Sequence, residues 1–242
     1  MTVPETARDL LATGRGILSR LPELPWRRIG PIGAGSALAV VLLLGLLVRI
    51  DVIRDEIDVE WMDEILENRT PLLEVPARVF DFLGGGWFGI FVVPIGVAVF
   101  FLVRRRPWAA LVFVLASAVS AGIVQGLKVL FSRERPEDIL LDLSNGAYPS
   151  GHVANAATVA VLLTLLLARW WVLVPGLAYV VLMALSRTYL GAHWISDTVG
   201  GLLLGAGVAL IVWAPLAVRL HTERVASPPP LWRRIDQRRA LG

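Results

Sequence analysis

Residues 107–127 read P-W-A-A-L-V-F-V-L-A-S-A-V-S-A-G-I-V-Q-G-L, an uncharged run closed by Lys128. A helix over that run is about 30 Å long at 1.5 Å per residue, the thickness of a bilayer's hydrocarbon core. Five more uncharged runs, with histidine counted as neutral, cover 29–48, 82–103, 143–168, 170–186 and 198–218. Each is near the roughly 20 residues that a span needs, 170–186 being the shortest. A soluble helical bundle would carry charged or polar faces on most of these helices. The chain has 242 residues, 56% hydrophobic and 18% charged, and soluble domains of that length are rarely so apolar. The reading is an all-α polytopic membrane protein with six transmembrane helices in one bundle.

Charge placement orients it. Fifteen of the 23 lysines and arginines fall before the first run, at Arg104–Arg106, at Arg169 or from residue 219 onward. The positive-inside rule then puts both termini in the cytoplasm and loops 51–81, 128–150 and 187–197 on the outer face of an inner (plasma) membrane. Trp26, Trp108, Trp170, Trp171 and Trp194 lie near span ends, where amphipathic rings settle. The same pattern accounts for the basic pI of 9.9 as topology, so no nucleic-acid partner is called for. The chain has no cysteine, which excludes disulfides, thiolate nucleophiles and thiolate metal sites.

The divisions that follow are a cytoplasmic N-terminal segment 1–28, a six-span domain 29–218 and a cytoplasmic basic tail 219–242. Around 5–20 a short amphipathic helix on the membrane and disorder are both open. The segment 51–81 holds ten Asp or Glu. Ile53, Ile57, Trp61, Ile65 and Leu66 recur there at helical spacing, which predicts an amphipathic helix at the interface. Pro71 and Pro76 break that pattern before Gly84-Gly85-Gly86 opens the second span. The tail contains Pro228-Pro229-Pro230 and fits a flexible segment near anionic lipid.

Three polar islands share the outer face. The first is Lys128 followed, after six residues, by Arg135-Pro136. A lysine ending an apolar helix is commonly a snorkelling residue, and alone it would be read so. The second is Pro149-Ser150-Gly151-His152, where serine suits a helix N-cap, glycine permits close approach, and first-turn amides attract an anion. The third, Ser186 to Asp197, reads S-R-T-Y-L-G-A-H-W-I-S-D. His193 and Asp197 are four apart, so a shared helix would put them on one face. A carboxylate on one imidazole nitrogen fixes the tautomer and frees the other nitrogen as base or nucleophile. Arg187 offers a planar fork suited to phosphate. Two of the chain's three histidines thus lie beside three cations at one depth, the makings of a site that breaks a phosphate ester.

K-x6-R-P at 128–136, P-S-G-H at 149–152 and S-R-x5-H-x3-D at 186–197 together resemble the three-part signature of the type 2 phosphatidate phosphatase and vanadium haloperoxidase superfamily, specifically its bacterial membrane lipid phosphatases. Each motif alone is weakly specific, and the ordered set is strongly so. The resemblance implies that His193 attacks phosphorus to give a phosphohistidine, that Asp197 orients it, and that His152 protonates the leaving group and then activates water. It further implies that Lys128, Arg135, Arg187, Ser150 and the Gly151 amide bind phosphate oxygens, with no metal and no cofactor. The expected substrate is a lipid phosphate held by its tail in the bilayer: a polyprenyl diphosphate such as undecaprenyl diphosphate first, phosphatidylglycerol phosphate or phosphatidate next. Three other readings remain: phosphotransfer from a lipid diphosphate to another acceptor, the haloperoxidase branch, which six spans count against, and a non-catalytic lipid-binding or transport protein. Oligomeric state has no sequence signal.

Overall fold

The computed structural model describes residues 26–50, 57–143 and 145–226, and every regular element among them is helical. Helix α1 is Trp26–Arg49, α2 is Val59–Glu67 and α3 is Pro71–Gly84. A π-helical turn, Phe88–Val92, leads into α4, Val93–Val103. Then come α5 (Pro107–Phe131), α6 (Gly151–Leu167) and α7 (Trp170–Tyr189). Helix α8, Ile195–Trp213, continues through a 3-10 turn at Ala214–Leu216 into α9, Ala217–Ala226.

Helix α6 runs through the centre, packed by α8, α7 and α5, while α1 lies on α8, α4 on α5 and α3 on α7. Small residues set how closely α6 and α8 approach. A Cβ added to Gly205 would stand 2.9 Å from the Ala154 carbonyl carbon, and one on Gly201 would stand 3.3 Å from the Ala154 nitrogen. Backbone-to-backbone contact of this kind is how helices associate where water supplies no hydrophobic drive. Thr158 sits in the same seam, donating to Ala154 O at 2.8 Å and meeting Gly205 O at 3.2 Å and Ser120 Oγ at 3.2 Å, which ties α5, α6 and α8 together.

The outside of the bundle is apolar. Leu72 is 81% exposed, and Trp87, Ile95, Val174 and Leu177 are also more than half exposed, a surface suited to lipid. By length and apolarity α5, α7 and the continuous rod Ile195–Ala226 can cross a bilayer. Helices α3 and α4 qualify together as one span bent by 44°, whereas Gly35–Arg49 of α1 and all of α6 are apolar but shorter. The described helices therefore give three spans, or four with the bent pair, and the chain is a multi-pass helical membrane protein.

Several sequence expectations shift. Pro71 does not break a helix but opens α3, where a missing N–H costs nothing, and Pro76 is carried inside it. The run 143–168 is helical only from Gly151 to Leu167, because the chain first loops through Tyr148-Pro149-Ser150. The amphipathic α2 is seated on protein: Met62 packs with Ala147 and Trp194, and Val59, Ile65 and Leu66 pack around them. Residues 219–226, grouped by sequence with the tail, belong to α9. Glu223 there accepts from the first amides of α5, Trp108 at 2.7 Å and Ala109 at 3.1 Å. The segment 1–25, with its expected helix at 5–20, and the tail 227–242 lie outside the described residues, as do 51–56.

Candidate active site

The ends of α5, α6, α7 and α8 that carry the three motifs converge. Two backbone bonds lock the loops between them: Ser150 N donates to Asp197 O at 2.9 Å, and Ala192 N donates to Arg187 O at 3.0 Å. The first fastens the start of α6 to the start of α8. The second closes the turn Leu190–Trp194 back onto the end of α7.

His193 stands in that turn, one residue before the Trp194 N-cap of α8, and is 2% exposed. Asp197 is the third residue of α8 and wholly buried. The pair therefore do not share a helix, as their four-residue spacing suggested. Asp197 reaches back in a helix-capping arrangement, its Oδ2 accepting from the Trp194 amide at 2.9 Å. That oxygen stands 3.5 Å from His193 Nδ1, an atom with no hydrogen-bond partner. Lys128, Arg187, Arg135 and His152 all surround His193. Burial first, and then those charges, hold its imidazole well below the usual histidine range. The ring is neutral at ordinary pH.

The two cations of the first motif hold the loop that follows α5. Lys128 Nζ donates to the carbonyl of Gly146 and lies 3.4 Å from that of Ala147. Arg135 donates from Nε to Asn145 O at 3.0 Å, from Nη2 to Asn145 Oδ1 at 2.7 Å, and from Nη1 to Ala192 O beside His193. Arg135 therefore ties the loop that leads into the second motif to the third motif. Ser150 is the N-cap of α6 as expected, yet its side chain makes no capping bond, and Oγ is buried without a hydrogen-bond partner. The Nε of Arg187 is in the same position. Leaving a buried polar atom unpaired costs about 1–3 kcal/mol. The two such atoms on Ser150 and Arg187 are free to meet a polar ligand, whereas His193 Nδ1 faces Asp197.

Three residues that the sequence reading passed over complete the cluster. Asp81, near the end of α3, forms an ion pair with Arg187 Nη1, and its Oδ1 lies 3.1 Å from His152 Nε2. The Asp81 carbonyl lies 3.1 Å from the same nitrogen. The glycine break after α3 makes room for this: a Cβ on Gly85 would stand 2.8 Å from His152 Cδ2. Arg133 bonds Asp197 Oδ1 and, at 2.5 Å, Asp58 Oδ2. In sequence Arg133 is only spacer between Lys128 and Arg135, and Asp58 and Asp81 are only charge in the 51–81 segment. Among the described residues no group of three or more His, Asp or Glu is arranged to hold a metal.

At one end of an apolar multi-pass bundle stand two histidines, four cations and three carboxylates, a set suited to phosphate chemistry. The sequence pattern of the PAP2 superfamily matches residues 108–219. The chain is 29% identical over 156 residues to phosphatidylglycerophosphatase B of Bacillus subtilis, covering 60% of this chain and 70% of that protein. It is 31% identical over 147 residues to decaprenylphosphoryl-5-phosphoribose phosphatase of Mycobacterium tuberculosis, covering 59% of this chain and 80% of that one. The fold matches the crystal structure of a transmembrane PAP2-type phosphatidylglycerolphosphate phosphatase from Bacillus subtilis with TM-score 0.68, at 24% identity, over 74% of this chain and 93% of that one. The chain belongs to the PAP2 superfamily. It is a phosphoric ester hydrolase of the lipid phosphatase kind.

The neutral His193 has a thermodynamic consequence. An unfolded histidine takes up a proton below about pH 6.5, and the buried ring does not, so stability present above that pH is lost as pH falls below it. The apparent Tm in detergent should drop as pH is lowered from about 6.5, and His193→Gln should flatten that drop. A variant whose Tm falls as steeply as wild type would contradict the assignment.

Proposed function

We propose that the chain hydrolyses a lipid phosphate by a two-step transfer through His193. The observation that carries this is the buried His193, with Nδ1 facing Asp197 at 3.5 Å and Lys128, Arg135 and Arg187 around it, an environment that lowers its pKa. When Nδ1–H donates to Asp197, Nε2 keeps the lone pair of a nucleophile. Nε2 attacks phosphorus, the P–O bond to the lipid breaks, and His152 gives the leaving oxygen its proton. His152 then takes a proton from water, which displaces His193 and releases phosphate. The Lys128, Arg135 and Arg187 charges, the Ser150 hydroxyl and the Gly151 amide offset the negative charge that builds on the equatorial oxygens. Catalytic histidine contacts are often long before substrate binds, so a 3.5 Å separation is compatible with this role.

The substrate stays in the bilayer by its tail. The superfamily relatives named above act, by their names, on phosphatidylglycerophosphate and on a decaprenyl-linked phosphate. What those share is a phosphate at the end of a membrane lipid. Polyprenyl phosphates and diphosphates, undecaprenyl diphosphate among them, stand first for this chain, with phosphatidylglycerol phosphate and phosphatidate next. Six spans, cytoplasmic termini and a site at the outer face of the inner membrane complete the reading. Helix α6 has 17 residues, about 25 Å at 1.5 Å each and shorter than a hydrocarbon core of about 30 Å, which supports a site at its N-terminus set a few ångström below the lipid surface. A headgroup can sink that far without its tail leaving the membrane.

Two measurements test this. Detergent-purified protein should release phosphate from lipid phosphates in the presence of EDTA, and His193→Ala should lose that release while remaining folded. A folded His193→Ala with near-normal rate would remove His193 as nucleophile. For topology, single cysteines at Ser144 and Thr222 should label from opposite sides of the membrane with an impermeant thiol reagent. Labelling from one side would overturn the six-span arrangement.

A further inference from the structure

The external segment before α3 sends a carboxylate into the catalytic cluster. Asp58, at the start of α2, has no exposed surface although it precedes an otherwise half-exposed helix. Its Oδ1 accepts from the Ser196 amide at 2.9 Å, and its Oδ2 accepts from Ser196 Oγ at 2.6 Å and from Arg133 Nη2 at 2.5 Å. The other arm of that guanidinium, Nη1, donates to Ser196 Oγ at 2.8 Å and to Asp197 Oδ1. Arg133 also lies over the Trp194 ring, 5.6 Å from its centroid, and Trp194 packs in turn against Met62 of α2.

The geometry has a direct reading. Asp197 receives Arg133 on one oxygen and the Trp194 amide on the other, so the carboxylate cannot rotate, and the face left over is the one toward His193 Nδ1. Arg133 can do this only if its own plane is fixed. Asp58 fixes it, because a planar fork gripped by a carboxylate at each end has no free torsion. We propose that Asp58 and Arg133 are positioning residues for the His193–Asp197 pair, which makes the external segment part of the catalytic apparatus. Asp58 lies outside the stretch that matches the superfamily pattern, and Arg133 lies between the first motif's own residues. The proposal rests on the reading of His193 as nucleophile.

Asp58→Asn is the most informative variant. It keeps shape and volume, still offers an oxygen to the Ser196 amide, and leaves Arg133 and Asp197 as a neutral pair. The expected result is a kcat lower by about tenfold or more with KM changed less than about twofold, since the phosphate-binding cations are untouched. Arg133→Lys should lose at least as much, because an ammonium cannot bridge both carboxylates. The Asp58→Asn/Arg133→Lys double variant should be no slower than Arg133→Lys alone, since one residue acts through the other. Wild-type kcat in a folded Asp58→Asn, or losses that multiply in the double variant, would overturn the proposal. Where Asp58→Asn does not fold, Ser196→Ala removes only the hydroxyl that both residues share, and wild-type kcat there would overturn it equally.

A readout independent of turnover separates this claim from the functional one. With three histidines in the chain, imidazole 15N shifts can be assigned with His193→Ala as the reference. Wild-type His193 should show one tautomer, protonated at Nδ1, and Asp58→Asn should show a mixture. Should wild type release no phosphate from any lipid, the nucleophile reading fails while the tautomer measurement still decides the positioning role. A His193 signal unchanged by Asp58→Asn sinks it.

Discussion

Everything at the site hangs on how closely α6 and α8 approach. Gly201 and Gly205 let the α8 backbone lie against Ser150 and Ala154 with no side chain between them. That contact brings the Ser150 amide to the Asp197 carbonyl and so joins two motifs that are more than thirty residues apart in sequence. A side chain at Gly205 would push the helices apart, and overpacking of this kind costs about 1–3 kcal/mol in a well-packed core. The chemical loss would be larger than the loss in stability. Misplacement by an ångström is enough to disarm a catalytic geometry.

The second constraint is charge. Lys128, Arg133, Arg135 and Arg187 stand near Asp58, Asp81 and Asp197, which leaves one positive charge in excess before either histidine is counted. Removing one partner of a buried ion pair costs about 3–5 kcal/mol, whereas an intact pair contributes little net stability. A fold has little to gain from such a cluster as a means of stability. On the function proposed, its value is that the cluster is organised before substrate arrives, so an incoming phosphate would meet fixed cations instead of reorienting water. Arg187 illustrates the arrangement: Asp81 holds one end of its guanidinium, and Nε is left without a partner.

Much of this was legible in the sequence, and the rest was not for identifiable reasons. Long uncharged runs announced an all-helical membrane bundle. The candidate site residues could be named because three ordered motifs resemble the superfamily's signature, although each motif alone is weakly specific. Helix α6 has 17 residues and the apolar part of α1 covers only Gly35–Arg49, so the spans counted on the described helices are fewer than the six runs suggested. The His193–Asp197 relation was expected along one helix, but α8 begins only after His193, and the carboxylate works by capping. Asp58, Asp81 and Arg133 carried no signal, because each finds its partner through tertiary contact: Asp58 with Ser196, and Asp81 with Arg187. An acidic residue in an acidic connector looks like solvated surface until the fold buries it.

The most direct test of the central claim is to trap the covalent intermediate. A lipid phosphate labelled at phosphorus would be mixed with enzyme, quenched within the first turnover in alkaline detergent, digested and analysed by mass spectrometry. The account predicts an acid-labile, alkali-stable phosphoryl group on the peptide that carries His193. Turnover with no labelled peptide, or label on a residue other than His193, would contradict it.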